Sequence, residues 1–596
     1  VSLVTRLRPW IEGAAALLAA LLPLGFALSL AASSPQWRDD AVVVRGLGLS
    51  LAPGAGATST FGFLALRLLP LGNMAFRASL VASLGLALAG FLLFRGIERA
   101  LTERQPSLLN SLVALLATCT AVLSPSLLRE GSVGGGASVA LALGLALLLG
   151  STGPLTARRW AGLGAGLGLL LAENAVLAVV VAAALLVRTL VLRPRTVERG
   201  FSFAAAGFAG VALLVLVPML VRPLAPSSWL GVGLAHGFGD LKHLDIQSLR
   251  NRGLGAWISQ VGLAAGGLSA LGLALGLLRG ASRGWALALL VPLGLDLLVP
   301  ATSSGLLTAD PLAPLRQLAF GSAAALSALG LQQIVLFLLS SRLPMARSAG
   351  VLALASHAAL VTLVAEEAIP QADRNRNLGA EVWTDQAIEL LPPSSLLLVR
   401  SEALLWRLWA ARLGSGMRPD ITVVPVPLLG RGKVAGALLR EEPALATLLR
   451  DVSATGEPSE FGLSTVADVR PLFLELDTRS DRRLASHTTS EALWLRFAPQ
   501  PYGSSDRRAG RNAATTAFYR VVAAARRQDP HDEATLEVLA AHTRSLAIAS
   551  ALVHDRESVA LALDQLAALR RDPPPEDPLW QLLPSSQPPR SKQAHR

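Results

Sequence analysis

Residues 348–367 read SAGVLALASHAALVTLVAEE, an apolar run closed by Glu366-Glu367. It is the last of a series. Hydrophobic spans of about 16–24 residues recur along residues 1–365, whereas residues 366–596 have the mixed polarity of a water-soluble domain. A mean hydropathy of +0.50 with 52% hydrophobic residues is too apolar for a soluble chain of 596 residues. Charge divides at the same boundary. Residues 1–365 carry 25 Lys/Arg against 12 Asp/Glu, and residues 366–596 carry 28 against 29. The net charge of +12 therefore belongs to the apolar half. Arginines flanking hydrophobic spans set membrane topology. The basic balance thus points to a lipid bilayer as partner and away from nucleic acid.

Working outward from that stretch, spans fall at roughly 10–31, 75–96, 107–126, 136–151, 160–173, 174–192, 202–222, 256–279, 284–301, 315–340 and 348–365. About 20 residues cross a hydrocarbon core, so the shorter ones are marginal. The pair at 160–192 reads either as two short helices meeting at Ala172-Glu173-Asn174 or as one long tilted helix. On a count of about eleven spans, Arg6/Arg8, Arg95/Arg99/Arg104, Arg158/Arg159, Arg188/Arg193/Arg195/Arg199, Arg279/Arg283 and Arg342/Arg347 share one side. By the positive-inside rule that side is cytoplasmic. The N-terminus is then inside, and the domain after residue 365 lies outside a cytoplasmic (inner) membrane. Abundant Leu, Ala, Gly and Arg with very little Lys suggests a bacterial genome of high GC content. Ala31-Ala32-Ser33 could mark a signal cleavage site. The apolar stretch before it is longer than a usual signal core, and an uncleaved first helix is preferred. The single cysteine, Cys119, lies in a span, which leaves the soluble domain without disulfides.

In the soluble part, β-rich runs at Leu396–Val399, Ile421–Val426 and Leu472–Leu476 alternate with helical stretches such as 402–413 and 441–451. Pro392-Pro393 and Arg418-Pro419-Asp420 punctuate the strand starts, as in a small α/β layer structure over 366–511. Helical runs near 513–528, 531–549 and 552–571 predict stacked hairpins over 512–582; a tetratricopeptide-like role is conceivable but disfavoured, because no clean repeat period can be read. Residues 583–596, rich in Pro, Ser and Arg, read as a disordered tail. The expected fold is a polytopic α-helical membrane domain (1–365) followed by a soluble α/β domain with C-terminal helical hairpins.

Ten cations on the outer loops, where few belong, need a cause: Arg38, Arg45, Arg67, Arg77, Arg129, Arg222, Lys242, Arg250, Arg252 and Arg316. An anionic ligand such as a lipid phosphate is one; ordinary solvated charge is the other. Trp37-Arg38-Asp39-Asp40 directly follows the first span. Its two carboxylates beside an arginine offer a general base for a hydroxyl nucleophile, or they mark a helix exit. Glu173 and Asp296 lie within apolar runs, where ionisable groups are costly and serve either a cavity or an interface. Phe238–Asp245 holds Asp240, Lys242 and His243, read as a polar interfacial loop. No Walker loop, nucleotide-binding glycine fingerprint or zinc signature is present, so no bound cofactor is implied, no metal ligand is assigned, and metal dependence stays open. Gly162-Leu-Gly-Ala-Gly-Leu-Gly reads as a helix-packing surface.

Several stretches together resemble the protein O-mannosyltransferase-like family, a large bacterial group that also holds a vertebrate endoplasmic-reticulum O-mannosyltransferase. Leu69-Pro70-Leu71-Gly72-Asn73-Met74-Ala75-Phe76-Arg77 is similar to that family's Pro-x-Gly-Asn-x-Ala-x-Arg start of a main helix. Ser124-Pro125 to Gly131 resembles its Ser-Pro stretch before another helix, and Phe238-Gly239-Asp240 its aromatic-Gly-Asp loop. Leu391-Pro392-Pro393 and Arg418-Pro419-Asp420-Ile421-Thr422-Val423-Val424 resemble its Leu-Pro-Pro and Arg-Pro-Asp-Val-x-Val-Val segments. The resemblance runs in order over roughly residues 10–430.

It implies a GT-C architecture whose first outer loop carries a catalytic carboxylate, a polyprenyl-phosphate-linked sugar as donor, and a protein or glycan hydroxyl as acceptor on the outer face. Asp39 and Asp40 then stand for the base, with Arg38, Arg45, Arg77 and Arg129 for the donor phosphate. The first loop departs from the family's Asp-x-x-Glu and His-Pro-Pro-Gly. Aligned on Gly48 and Pro53-Gly54, Asp39 falls on the glutamate and Gln36 on the leading aspartate, with Leu51 and Ala52 on the histidine and first proline. A small shift instead brings Asp39 or Asp40 onto the leading aspartate. The family's Gly-Asp-Asn-Asp is replaced by Arg400-Ser401-Glu402. A sugar-transferring enzyme, an inactive GT-C-like envelope scaffold and, third, a transporter using Glu173 and Asp296 are the readings to separate. No internal repeat of spans supports the third.

Overall fold

The computed structural model describes all residues except 1–2, 33, 35, 45–55, 103–107, 153–155, 193–199, 212–261, 299–306, 308–309, 311, 430–431, 528–530 and 584–596. The chain forms two compact units, Val1–Arg376 and Asn377–Arg596. The expected disordered tail falls outside the described residues, apart from Leu583.

The regular structure among the first unit's described residues is all helical: α1 (Leu3–Leu30), α2 (Asp39–Val44), α3 (Ala57–Arg67), α4 (Met74–Thr102), α5 (Leu108–Val122), α6 (Pro125–Ser132), α7 (Ser138–Gly150), α8 (Ala157–Glu173) and α9 (Ala175–Leu192). Next come α10 (Gly200–Val211), then α11 (Leu263–Leu278), α12 (Gly280–Leu298), α13 (Ala313–Ser340) and α14 (Pro344–Ala372). Among the described residues α1, α4, α13 and α14 are long and apolar enough to cross a membrane. The pair α5–α6, bent by 68°, makes a fifth if taken as one broken span. The expected eleven spans exceed this count. The segment expected at 136–151 is the 13-residue α7, shorter than the roughly 20 residues that a helical crossing needs. At 160–192 the chain breaks at Asn174 (φ −151°, ψ 112°), so two short helices form rather than one.

Helices α4 and α13 are the enclosed ones, with 61% and 56% of their apolar windows buried, against 22% for α14. Small residues let backbones meet. Gly272 of α11 lies on the Leu326 carbonyl of α13 and Gly330 on the Leu268 carbonyl, while Gly164, from the predicted packing string, abuts Ala204 of α10. Some polar groups inside the bundle pair across helices, Gln332 to Asn110 at 2.7 Å and His357 to Thr120 at 3.3 Å.

One loop explains a family-like motif. Gly72 takes φ +55°, and Asn73 Oδ1 accepts the Phe76 amide at 2.8 Å to cap α4. The Arg77 guanidinium then donates back to the Leu71, Arg67 and Gly72 carbonyls at 2.9–3.1 Å.

The second unit is built on a five-stranded sheet in the order β2-β1-β3-β5-β4. Strands β1 (Leu396–Val399), β2 (Thr422–Pro425) and β3 (Leu472–Leu474) are parallel, with Leu397 facing Val423 and Phe473. Covered on both faces, they read as unbroken apolar runs. Strand β5 (Trp494–Phe497) is antiparallel to β3 and forms a hairpin with β4 (Thr488–Glu491). Its turn is Ala492-Leu493 with Ala492 at φ +50°, so the Asn-Gly type of hairpin signal is missing from the sequence.

Around the sheet lie α15 (Gly379–Thr384), α16 (Glu402–Ser415), α17 (Gly432–Glu441), α18 (Ala446–Thr455) and α19 (Glu460–Ala467). The C-terminal helices are α20 (Ser504–Ala525), α21 (Glu533–Leu552) and α22 (Arg556–Ala568). Ser545 of α21 exchanges hydrogen bonds with the Leu476 backbone just beyond β3, at 2.9 and 3.0 Å, which docks the helices on the sheet. The Leu-Pro-Pro and Arg-Pro-Asp segments prove to be one device. The Arg418 guanidinium donates to Leu391 and Pro392 carbonyls at 2.9 and 3.0 Å and to both Asp420 oxygens at 2.9 Å. Asp420 in turn accepts the Ser394 amide, and these bonds hold its carboxyl well below the usual range.

Candidate functional site

The chain leaves α1 at Leu30 and places Trp37, Arg38, Asp39 and Asp40 in the interior, with both aspartates in the first turn of α2. Each is fully buried. A carboxylate taken that far from water must find donors, and Asp39 has four. Its Oδ2 accepts Arg374 Nη2 at 2.9 Å and the Gln36 amide at 3.3 Å; its Oδ1 accepts the Gly134 amide at 2.6 Å and Arg374 Nη1 at 3.3 Å. Arg374 lies where three helices end. Its amide donates to Leu30 O of α1 at 3.0 Å and its guanidinium to Ser132 O of α6 at 3.3 Å, just past the end of α14. Helix C-termini carry partial negative charge, so a cation suits that place.

Arg38 makes the parallel contact. It forms a two-pronged pair with Glu130 of α6 at 2.6 and 2.8 Å, both side chains buried. Glu130 also accepts the Ala137 amide at 3.1 Å. The short loop Val133–Ala137 is thus gripped at both ends by acids, Asp39 at Gly134 and Glu130 at Ala137. Gly135 has φ +68°, and a Cβ on Gly134 would meet Ala78 and Asp39 at 2.9 Å.

Arg129, the residue before Glu130, behaves differently. It reaches Glu130 only at 3.9 Å, its side chain is 39% exposed, and its Nε has no hydrogen-bond partner. Arg38, Glu130, Asp310 and Arg316 all bear on it electrostatically. Arg316, in the first turn of α13, pairs with Asp296 at 3.6 Å and Asp310 at 4.0 Å. Gln317 beside it is fully buried with neither amide atom hydrogen-bonded. The resulting cluster holds Arg38, Asp39, Asp40, Arg129, Glu130, Asp296, Asp310, Arg316 and Arg374. Within it, Arg38 and Arg374 are closely paired, whereas Arg316 has ion pairs of 3.6 and 4.0 Å and Arg129 one of 3.9 Å.

The remaining expected residues lie elsewhere or are outside the described residues. Arg77 closes the α3–α4 turn as set out above. Glu173 reaches the N-terminus of α3, where it accepts the Thr58 and Ser59 amides at 2.7 and 3.1 Å and the Ser59 hydroxyl. That is a helix-capping role supplied from another helix. Asp296, the other acid within an apolar run, joins the cluster through Arg316. Arg45, Asp240, Lys242 and His243 fall outside the described residues. No group of three or more His, Cys, Asp or Glu placed to hold a metal occurs among the described residues.

Sequence reasoning missed Arg374, assigned no role to Glu130 and passed over Gly134-Gly135-Gly136. Signals for all three were present. Arg374 is a further cation beyond the last span on the side where cations had already been singled out. Glu130 is an acid beside Arg129, and three consecutive glycines after a span mark a close backbone approach.

No protein-family model matches the chain, and no curated protein matches it. Among solved structures, ArnT from Cupriavidus metallidurans bound to undecaprenyl phosphate is 12% identical, covers 72% of this chain and 92% of its own, and has a TM-score of 0.43. A likeness at that level carries no conclusion about activity.

Proposed function

We propose that the chain is a membrane glycosyltransferase of GT-C type. It moves a sugar, mannose in the family it resembles, from a polyprenyl-phosphate donor to a protein or glycan hydroxyl on the outer face of a bacterial cytoplasmic membrane. The observation that carries the reading is the cluster itself, nine ionisable residues gathered in a largely apolar helical unit, with Arg129 uncommitted to a close ion pair. Ionisable groups in such a setting are costly and mark function by default.

In the reaction the acceptor oxygen bonds to the anomeric carbon while the carbon–oxygen bond to phosphate breaks. The polyprenyl phosphate leaves with the electron pair. The acceptor proton passes to the pair of carboxylates in the first turn of α2, with Asp40 assigned as the base. Arg129 faces the developing phosphate charge, supported by the α13 N-terminus that Arg316 and Gln317 occupy. Asp39 acts with Arg374 to hold the loop.

The second reading, a non-catalytic envelope scaffold, draws on a specific observation too. The Asp39–Arg374 and Arg38–Glu130 pairs give the first loop a structural use for its charges. A transporter role loses its two intramembrane acids to capping by Glu173 and to the Asp296–Arg316 pair. The deciding experiment measures sugar transfer from a panel of polyprenyl-phosphate sugars in membranes, with the parent, Asp39→Asn, Asp40→Asn and Arg129→Ala. Loss of turnover in Asp40→Asn with the protein still folded supports the enzyme. Full turnover in Asp40→Asn ends the assignment of the base, and no turnover by the parent with any donor favours the scaffold.

A further inference from the structure

The second unit has its own candidate site, which the reading above does not use. From β1 the chain passes to β2 on one side and later to β3 on the other, so the strand order reverses between β1 and β3. In open parallel sheets ligands bind outside the carboxyl ends of the strands at such a point. Here those ends carry Arg400-Ser401 after β1 and Glu475-Leu476-Asp477 after β3. Arg400 reaches out to Glu457 at 2.9 Å and to Asp477 at 3.2 Å. Glu457 in turn lines a cleft of about 450 Å³ between the end of α18 and the start of α19. That size lies within the roughly 300–1,000 Å³ of ligand clefts.

The cleft has a defined chemistry. Phe461 stands on its wall with 71% of its surface exposed, a large aromatic left in water. Around it are planar hydrogen-bonding groups fixed by their neighbours. Asp451 is held by the Ser459 hydroxyl and by Arg450 at 3.2 Å, and Glu457 by Arg400 and, at 3.7 Å, by Arg479. Thr455 adds a hydroxyl, itself donating to Glu457 O at 2.7 Å.

Two facts exclude an anionic ligand. The charged residues lining the cleft are Arg450, Asp451 and Glu457, and the neighbouring Arg400 and Arg479 are already taken by Glu457 and Asp477, so the lining has no cation to spare for an anion. The place where a phosphate would sit, at the N-terminus of α16, is filled by the chain's own Glu475. Its Oε2 accepts the Arg400 and Ser401 amides at 2.7 and 3.1 Å. A nucleotide or lipid phosphate therefore has no seat. An aromatic face flanked by two carboxylates and a guanidinium group, with no cation to spare, matches a pyranose. The apolar C–H face of such a ring lies on an aromatic side chain, while its hydroxyls both donate and accept.

We infer that the α18–α19 cleft is a saccharide-binding site for a neutral glycan. If the transferase reading holds, that glycan is the acceptor, and this last step alone rests on it.

The test uses the full chain in lipid nanodiscs, probed with neutral oligosaccharides built of mannose, galactose or arabinose. Inorganic phosphate, a nucleoside diphosphate and an acidic peptide serve as controls. Binding is read by saturation-transfer NMR and by titration. Phe461→Ala should lose roughly tenfold or more in affinity, on the scale of one apolar side-chain contact. Phe461→Trp should keep it, and both variants should melt like the parent because the ring is exposed. No neutral saccharide bound by the parent overturns the site, as does unchanged binding in Phe461→Ala or preference for phosphate or the nucleotide. Saccharide binding by a protein that transfers no sugar supports the cleft and retires only the transferase reading.

Discussion

Asp39 and Arg374 are 335 positions apart in the chain and meet at 2.9 Å, with the carboxylate fully buried, the guanidinium on the Ser132 carbonyl at the end of α6 and the Arg374 amide on the Leu30 carbonyl at the end of α1. The contact joins the first loop of the helical unit to its last helix. Removing one partner of a buried pair strands the other, at a cost of about 3–5 kcal/mol. Arg374→Gln should therefore lower the detergent-solubilised protein's heat resistance markedly and raise hydrogen exchange in 36–44 and 133–137. Adding Asp39→Asn should restore a good part of the loss, since two neutral amides no longer leave a charge unpaired. A double variant as unstable as Arg374→Gln alone would mean that the pair is incidental.

Arg129 invites the opposite experiment. Its one ion pair is long and partly solvated, and such pairs contribute about 0–1 kcal/mol. Arg129→Ala should melt within a few degrees of the parent yet raise the KM for a polyprenyl-phosphate sugar by roughly tenfold or more, the scale of losing one charge-assisted contact. Arg129→Lys should recover part of it. Unchanged transfer kinetics in Arg129→Ala would remove this side chain from the donor site.

How much of this was legible beforehand differs element by element. The strands β1 to β3 were readable because buried parallel strands are continuous apolar runs between proline-rich turns. The β4–β5 hairpin was not, because its turn is Ala492-Leu493 and its outer strand TTSE has no apolar alternation. In the helical unit, Asp39 and Arg129 could be picked out as charges in the wrong place, but their fates could not. Whether a charge is locked or available depends on partners far away in sequence, Arg374 for Asp39 and Glu130 for Arg38. Arg77 shows the converse. Its motif resemblance suggested a ligand contact, while the structure gives its guanidinium three carbonyls of its own turn.

Glu173 offers a test of structure against transport. Its carboxylate lies directly over Gly56, where an added methyl group has no room. Gly56 has φ −70°, so backbone strain plays no part. Gly56→Ala should push this flexible carboxylate aside and cost about 0.5–2 kcal/mol, the cap it then loses. Glu173→Ala alone should cost about 0.5–2 kcal/mol through the lost cap. The double variant should be no worse than Glu173→Ala, because the obstructing group has gone. Strict additivity in melting measurements would show that the two side chains do not meet.

The last prediction concerns pH and the second unit. His542 of α21 is buried with its Nε2 unpartnered, at a narrow cleft that Arg511 and Gln565 also line. Burial pushes its imidazole down from the ordinary 6.5 to about 4. The folded state thus prefers the neutral ring. Between pH 6.5 and about 4 the unfolded chain holds a proton at this site that the folded chain does not, so stability rises with pH across that window. The contribution is fully present above pH 6.5 and is lost progressively as pH falls toward 4. Peptides from α21 and α22 should gain hydrogen exchange, corrected for its intrinsic pH dependence, between pH 7.5 and pH 5. In His542→Gln, which keeps a polar planar group but cannot titrate, that pH dependence should flatten. Equal acid sensitivity in the two proteins would assign the effect to other groups and leave His542 a silent packing residue.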